Sequence, residues 1–168
     1  DTTKPESMVL YLAPNVPTKD FVVQWQGADA HSGVDKFQTF VSINDEPYIT
    51  WNAFIEAVSD TFHGKFGYTY KFYSISKDKA GNYEPAPAAG QPDAETTPLS
   101  IGQVISVKDG EWHDPTTWSN NAVPDINTDL IVKHLVHISM NGVCKKATLI
   151  PNGNLILDEG KRLDIITN

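Results

Sequence analysis

GYTYKFYSISKDKAGN, residues 67–82, opens on a glycine, carries rings at Tyr68, Tyr70, Phe72 and Tyr73, and stops at a polar turn. Side chains alternate along an extended chain, so Tyr70 and Phe72 share one face while Tyr73 and Ile75 share the other. A strand apolar on both faces belongs in the middle of a sheet inside a two-layer sandwich. No nucleophile, paired acids or metal-ligand spacing lies within it.

Working outward, strands are expected at 8–12, 20–26 and 34–43, with 68–76 as the central one. Shorter strands fit near 47–51, 60–63 and 82–86. Turn residues separate them at 13–17, 27–33, 44–47 and 78–82. Trp51, Phe54, Ile55 and Val58 keep helical spacing, yet a lone helix is uncommon in a small sandwich, so 51–58 is read as irregular. Residues 85–98 are rich in proline and hold almost no large apolar side chain, which marks a semi-rigid linker. The chain therefore divides into a sandwich over 1–87, a linker over 88–100 and a second β-rich domain over 101–168.

The DTTKPES opening, FVVQW at 21–25, SGVDKF at 32–37 and the YTYKFYSIS…DKAGN close resemble the fibronectin type III or Ig-like modules of secreted bacterial multidomain proteins. That resemblance covers residues 1–87. It implies that Trp25 packs between the sheets and that Tyr70 is a corner tyrosine whose hydroxyl bonds nearby backbone. It also implies a chain that enters beside the loops at 27–33 and 78–82 and leaves at the opposite pole. The family shares no catalytic activity.

Beyond residue 101 the texture changes. Strand-like segments at 104–107, 129–132, 136–139, 147–150, 154–157 and 162–166 recur between Asn141-Gly142, Asn152-Gly153 and Glu159-Gly160. Such spacing fits stacked rungs or a small sandwich. The GEWHDPTTWS segment (110–119) and Val123-Pro124, followed by glycine-punctuated strands, resemble the start of parallel β-helix domains in bacterial surface proteins.

Composition narrows the partners. A net charge of −8 argues against nucleic acid or an anionic membrane, both of which require basic patches. No apolar run approaches the ~20 residues of a membrane span. With one cysteine, Cys144, no intrachain disulfide can form, and the thiol is expected to be buried.

Four side chains at the loops of one sandwich pole, Asp29, Asp35, Asp78 and Asn82, offer oxygen ligands for Ca²⁺. The competing reading is that they cap their own turns. Tyr48, Trp51, Trp112 and Trp118 are the glycan-stacking candidates, with core packing the preferred role for each. His134 and His137 are three apart on extended chain and so cannot share a metal; His31, His63 and His113 have no ligand spacing around them. The acid pairs Asp109/Glu111 and Asp158/Glu159 are sequence neighbours in turns, unlike the separated carboxylates of a glycosidase. The expectation is a non-catalytic spacer or interaction module of a larger secreted or cell-surface bacterial protein. The DTTKPES start, which lacks the marks of a signal peptide, reads as continuing an upstream linker. Its partners would be the neighbouring domains of the parent chain. The alternatives are a carbohydrate-binding or adhesion module binding polysaccharide or a cell-surface glycan, or the accessory N-terminal part of a polysaccharide-degrading enzyme.

Overall fold

Strand β3 (Asp20–Ala28) buries every second residue, Phe21, Val23 and Trp25, and turns Val22, Gln24 and Gln26 to solvent. That alternation is the signature of a sheet with one wet face. The computed structural model describes residues 1–88 and 91–167, is all-β apart from one 3₁₀ turn at Pro115–Thr117, and divides into two compact units, Asp1–Leu99 and Ser100–Asn168.

In the first unit β3 lies between β1 (Glu6–Val9) and β6 (Ser59–His63), both antiparallel to it. A second sheet of five runs β2 (Asn15–Val16), β8 (Ala94–Pro98), β7 (Tyr70–Asp78), β4 (Val34–Ile43), β5 (Ile49–Ile55). The two sheets share one core of Val9, Phe21, Val23, Trp25, Phe62, Tyr70 and Phe72. Tilted and edge-on ring contacts knit it, such as Phe62–Phe72 at 5.1 Å and Trp25–Trp51 at 6.0 Å. Strand β7 is central as expected, flanked by β4 and β8, with Tyr70, Phe72, Ser74 and Ser76 facing inward. Trp25 is buried between the layers, and the Tyr70 hydroxyl accepts the Lys65 N–H at 2.8 Å.

Several boundaries differ from the sequence reading. The expected linker over 88–100 is largely structural: Ala94–Pro98 pairs with β7 and β2, and Ala94, Thr96 and Thr97 are buried. Residues 89 and 90 of that linker lie outside the described residues. The sandwich therefore runs to Leu99 rather than 87, and the second unit starts at Ser100. Strand 82–86 is absent, reduced to a single bridge between Lys77 and Tyr83. The turn at 13–17 holds β2, and the segment read as irregular from 51 is β5 through Ile55.

In the second unit every pairing between strands is parallel. The chain visits three sheets in turn and returns to each one strand further on. Strands β9 (Gln103–Ile105), β11 (Asp129–Val132) and β14 (Lys146–Leu149) form the first sheet. Strands β10 (Gly110–Glu111), β12 (Leu135–Ile138) and β15 (Asn154–Leu157) form the second, and β13 (Gly142–Cys144) with β16 (Leu163–Ile165) the third. Leu130, Val132, Val136, Ile138, Trp112, Trp118 and the buried Cys144 fill the interior. At Gly153 a Cβ would lie 1.9 Å from the Val132 carbonyl oxygen, so this turn of the coil admits only glycine.

Candidate functional site

The loops at the β3–β4 and β7 ends of the sandwich bring three carboxylates together. Asp1, Asp29 and Asp78 each offer an oxygen, all within 4.8 Å of one another. Asp29 caps its own loop: its Oδ1 accepts from the backbone N–H of His31, Ser32 and Gly33 and from the Ser32 hydroxyl. Its Oδ2 is buried with no hydrogen-bond partner among the described residues. Asp78 is fully buried and takes two bonds from Asn82, backbone N–H to Oδ1 and Nδ2 to Oδ2, each 2.7 Å. Asn82 Nδ2 also reaches the Asp1 and Thr3 carbonyls, and Ser32 N–H reaches Asp1 Oδ2 at 3.1 Å.

Electrostatically the two loop carboxylates behave alike. Burial pushes the Asp78 carboxyl up, but the Asn82 side chain and backbone, Ser32 and Gly81 outweigh it and hold the group below its ordinary range. Burial likewise raises Asp29, and the N–H groups of Gly33, His31 and Ser32 with the Ser32 hydroxyl bring it lower. Three carboxylate oxygens gathered in one place, with no lysine or arginine at ion-pair distance among the described residues, suit a hard cation. Of the four expected ligands, Asp29 and Asp78 converge. Asn82 orients Asp78, and Asp35 on β4 is not part of the cluster. Asp1 was missed, because only the fold carries the first residue to these loops.

The glycan candidates separate sharply. Trp112 is 0% and Trp118 1% exposed; they pack edge-on at 5.3 Å, and Trp118 Nε1 donates to the Trp112 carbonyl. Trp51 packs inward against Trp25, Phe62 and Phe72. These three tryptophans are core, not platform. Tyr48 alone lies on the outer face of the five-stranded sheet, edge-on to Tyr73 at 4.7 Å, and Tyr73 stacks on Phe40 at 4.6 Å.

One constellation in the second unit escaped the sequence reading. Each dismissed acid pair gives one member to His137: Glu111 Oε1 lies 2.9 Å from Nδ1 and Asp158 Oδ1 2.7 Å from Nε2. Glu111 also accepts the Ser139 hydroxyl at 2.7 Å. The parallel register pairs Glu111 with His137, and Asp158 lies two residues past Ile156, the partner of His137 on β15. The Glu111 hydrogen bond and the Asp158 charge raise the His137 pKa against some desolvation, so the bridge stabilises the imidazolium. His134 is held separately, on the Ser106 carbonyl and hydroxyl.

Nothing known matches this chain: no family model, no curated protein and no solved structure. Among the described residues no helix is long and apolar enough to cross a membrane. The Cys144 thiol, raised by burial and by Asp129, is withdrawn from solvent as the sequence led one to expect.

Proposed function

We propose that the chain is a non-catalytic spacer and interaction portion of a larger secreted or cell-surface bacterial protein. In this reading the first unit is a fibronectin type III or Ig-like sandwich and the second comprises opening turns of a parallel β-helix. One observation carries the spacer role: the chain enters and leaves the first unit at opposite ends of its strands. Asp1 and Thr3 are tied to Ser32, His31 and Asn82, beyond the Asp78 end of β7. Strand β8 runs antiparallel to β7 and exits past Tyr70, where Pro98 and Leu99 bond Gly67 and Val16. Nine residues of β7 span roughly 26 Å at ~3.3 Å per residue, so the unit sets that separation rigidly.

At the end where the chain enters, Asp1, Asp29 and Asp78 would hold Ca²⁺, whose oxygen-only preference fits the donor set. The ion would neutralise their mutual repulsion and fasten the incoming segment to both loops. Parallel pairing throughout the second unit supports the β-helix assignment, and the secreted or surface location rests on the sequence resemblance. The outer aromatic row of Tyr48, Tyr73 and Phe40 favours a second reading, a carbohydrate-binding face.

The spacer role is tested in the parent protein by replacing residues 1–99 with an unrelated sandwich whose ends also lie at opposite poles. Parent activity should survive the exchange. Its loss, with the rest of the protein still folded, would show that this unit does more than hold distance.

A further inference from the structure

Lys36 on β4 and Lys77 on β7 are direct cross-strand partners. Like charges so placed, with Cβ atoms ~5 Å apart, oppose pairing unless something compensates them. Neither ammonium has a carboxylate within ion-pair distance among the described residues, and Lys77 is met instead by the Tyr83 ring it sits over. Four other lysines, Lys19, Lys71, Lys108 and Lys145, do have carboxylate partners.

The two lysines border a shallow surface depression on the outer face of the five-stranded sheet, together with Gln38, Phe54, Ile75 and Tyr83. Its rings are presented rather than packed away. Phe54 and Tyr83 are 47% and 48% exposed, meet edge-on at 6.2 Å, and Lys77 Nζ sits 5.5 Å over the Tyr83 ring. The backbone makes a particular effort to put Phe54 there. The β4–β5 register slips so that Ala53 and Phe54 together oppose Gln38, and Phe54 adopts φ 53°, an outlier for a bulky side chain. Along β7 the same outer face runs on through Ile75 to the half-buried Phe40–Tyr73–Tyr48 cluster, about 13 Å from Lys77 to Tyr73 at ~3.3 Å per residue.

We infer that this face binds an acidic polysaccharide, a sugar chain whose carboxylates sit between Lys36 and Lys77 while its ring faces stack on Phe54 and Tyr83. Charge complementarity selects the anion. The half-exposed, paired rings of Phe54 and Tyr83 select a saccharide over a point anion. The contacts are made by side chains on the sheet face and not by the backbone of the edge strand β5, which sets this mode apart from strand addition by a peptide. The inference rests on the carbohydrate-binding reading and not on the spacer role, so the exchange experiment and the one below fail independently.

The chain is run in native affinity gels containing polygalacturonate, alginate or hyaluronan at ~0.15 M salt, where exposed charge alone is largely screened. Controls are a neutral, methyl-esterified polygalacturonate and polyglutamate. At least one acidic polysaccharide should retard the chain, and the double variant Lys36→Gln/Lys77→Gln should weaken that binding about tenfold or more. Phe54→Gly, which accepts the positive φ while removing the ring, should weaken it too, with the melting temperature unchanged or raised. Retardation by none of the three acidic polymers would overturn the inference. So would equal retardation by the neutral ester or by polyglutamate, or binding that survives the double variant.

Discussion

A carboxylate withdrawn from water keeps its charge only if donors replace the lost hydration, and Asp78 shows how completely a short loop can do this. Asn82 supplies two of the donors from four residues away, and Asp29 is served the same way by the loop that follows it. Both carboxyls are held below their ordinary range, so the folded state binds their protons more weakly than the unfolded chain does. The stability they contribute is present above the usual carboxylate pKa, about 4, and is lost as pH falls through the lower folded values. A cation seated among Asp1, Asp29 and Asp78 would deepen this dependence, since protons and metal compete for the same oxygens. Millimolar Ca²⁺ at neutral pH should therefore raise the melting temperature of the first unit, by a few degrees at saturating concentration. Chelator should reverse the gain, and Asp29→Asn should abolish it while retaining much of the loop capping. A melting curve indifferent to Ca²⁺ and chelator would leave these residues as turn caps only.

At the scale of elements, the pattern-bearing strands were legible and the irregular ones were not. The alternation of β3 and β7 and the glycine spacing of the second unit gave strands in the right places, because burial on one face imposes a period of two. Segment 51–58 misled for a physical reason. Two slips of register against β4 insert extra residues near Trp51 and Phe54, and a strand so interrupted shows apolar spacings of three and four. Strand β8 was hidden by its composition, AETTP, whose threonines are buried through hydrogen bonds rather than apolar contact. Thr96 bonds the Ala13 carbonyl and Thr97 the Thr69 hydroxyl. Glu84 was equally invisible, yet it closes the seam between the two sheets. Its carboxylate accepts the N–H and hydroxyl of Ser7 on β1 and of Ser76 on β7, four bonds in place of a missing ladder. Asp93 repeats the device on the N–H groups of Val9 and Ser74. Removing an acceptor from buried donors costs ~1–3 kcal/mol per group. Glu84→Ala should thus destabilise the first unit by roughly 2–4 kcal/mol in chemical denaturation, with Asp93→Ala costing less because Asp93 serves two donors where Glu84 serves four. A loss under ~0.5 kcal/mol for Glu84→Ala would mean that water replaces the carboxylate and that the seam is held by the core alone.

For the whole molecule, the decisive question is where one cooperative unit stops. Composition put that point near residue 87, since proline-rich sequence ordinarily belongs to linkers; the hydrogen bonds put it at Leu99. Ending the chain at 87 would remove Asp93, leaving Val9 and Ser74 without their acceptor, and would strip β8 from β7 and β2. It would also uncover the inward side of Tyr70 and Phe72, beside which Ala94 and Thr96 lie buried. Small domains have only ~5–15 kcal/mol in reserve, and these losses, at ~1–3 kcal/mol for each unpartnered donor, approach that total. Residues 1–99 expressed alone should accordingly give a dispersed amide spectrum and a single cooperative melt, whereas residues 1–87 should give a collapsed spectrum or none. Equal folding of both pieces would show that the sandwich is complete without β8 and would restore the linker reading for everything after Pro87.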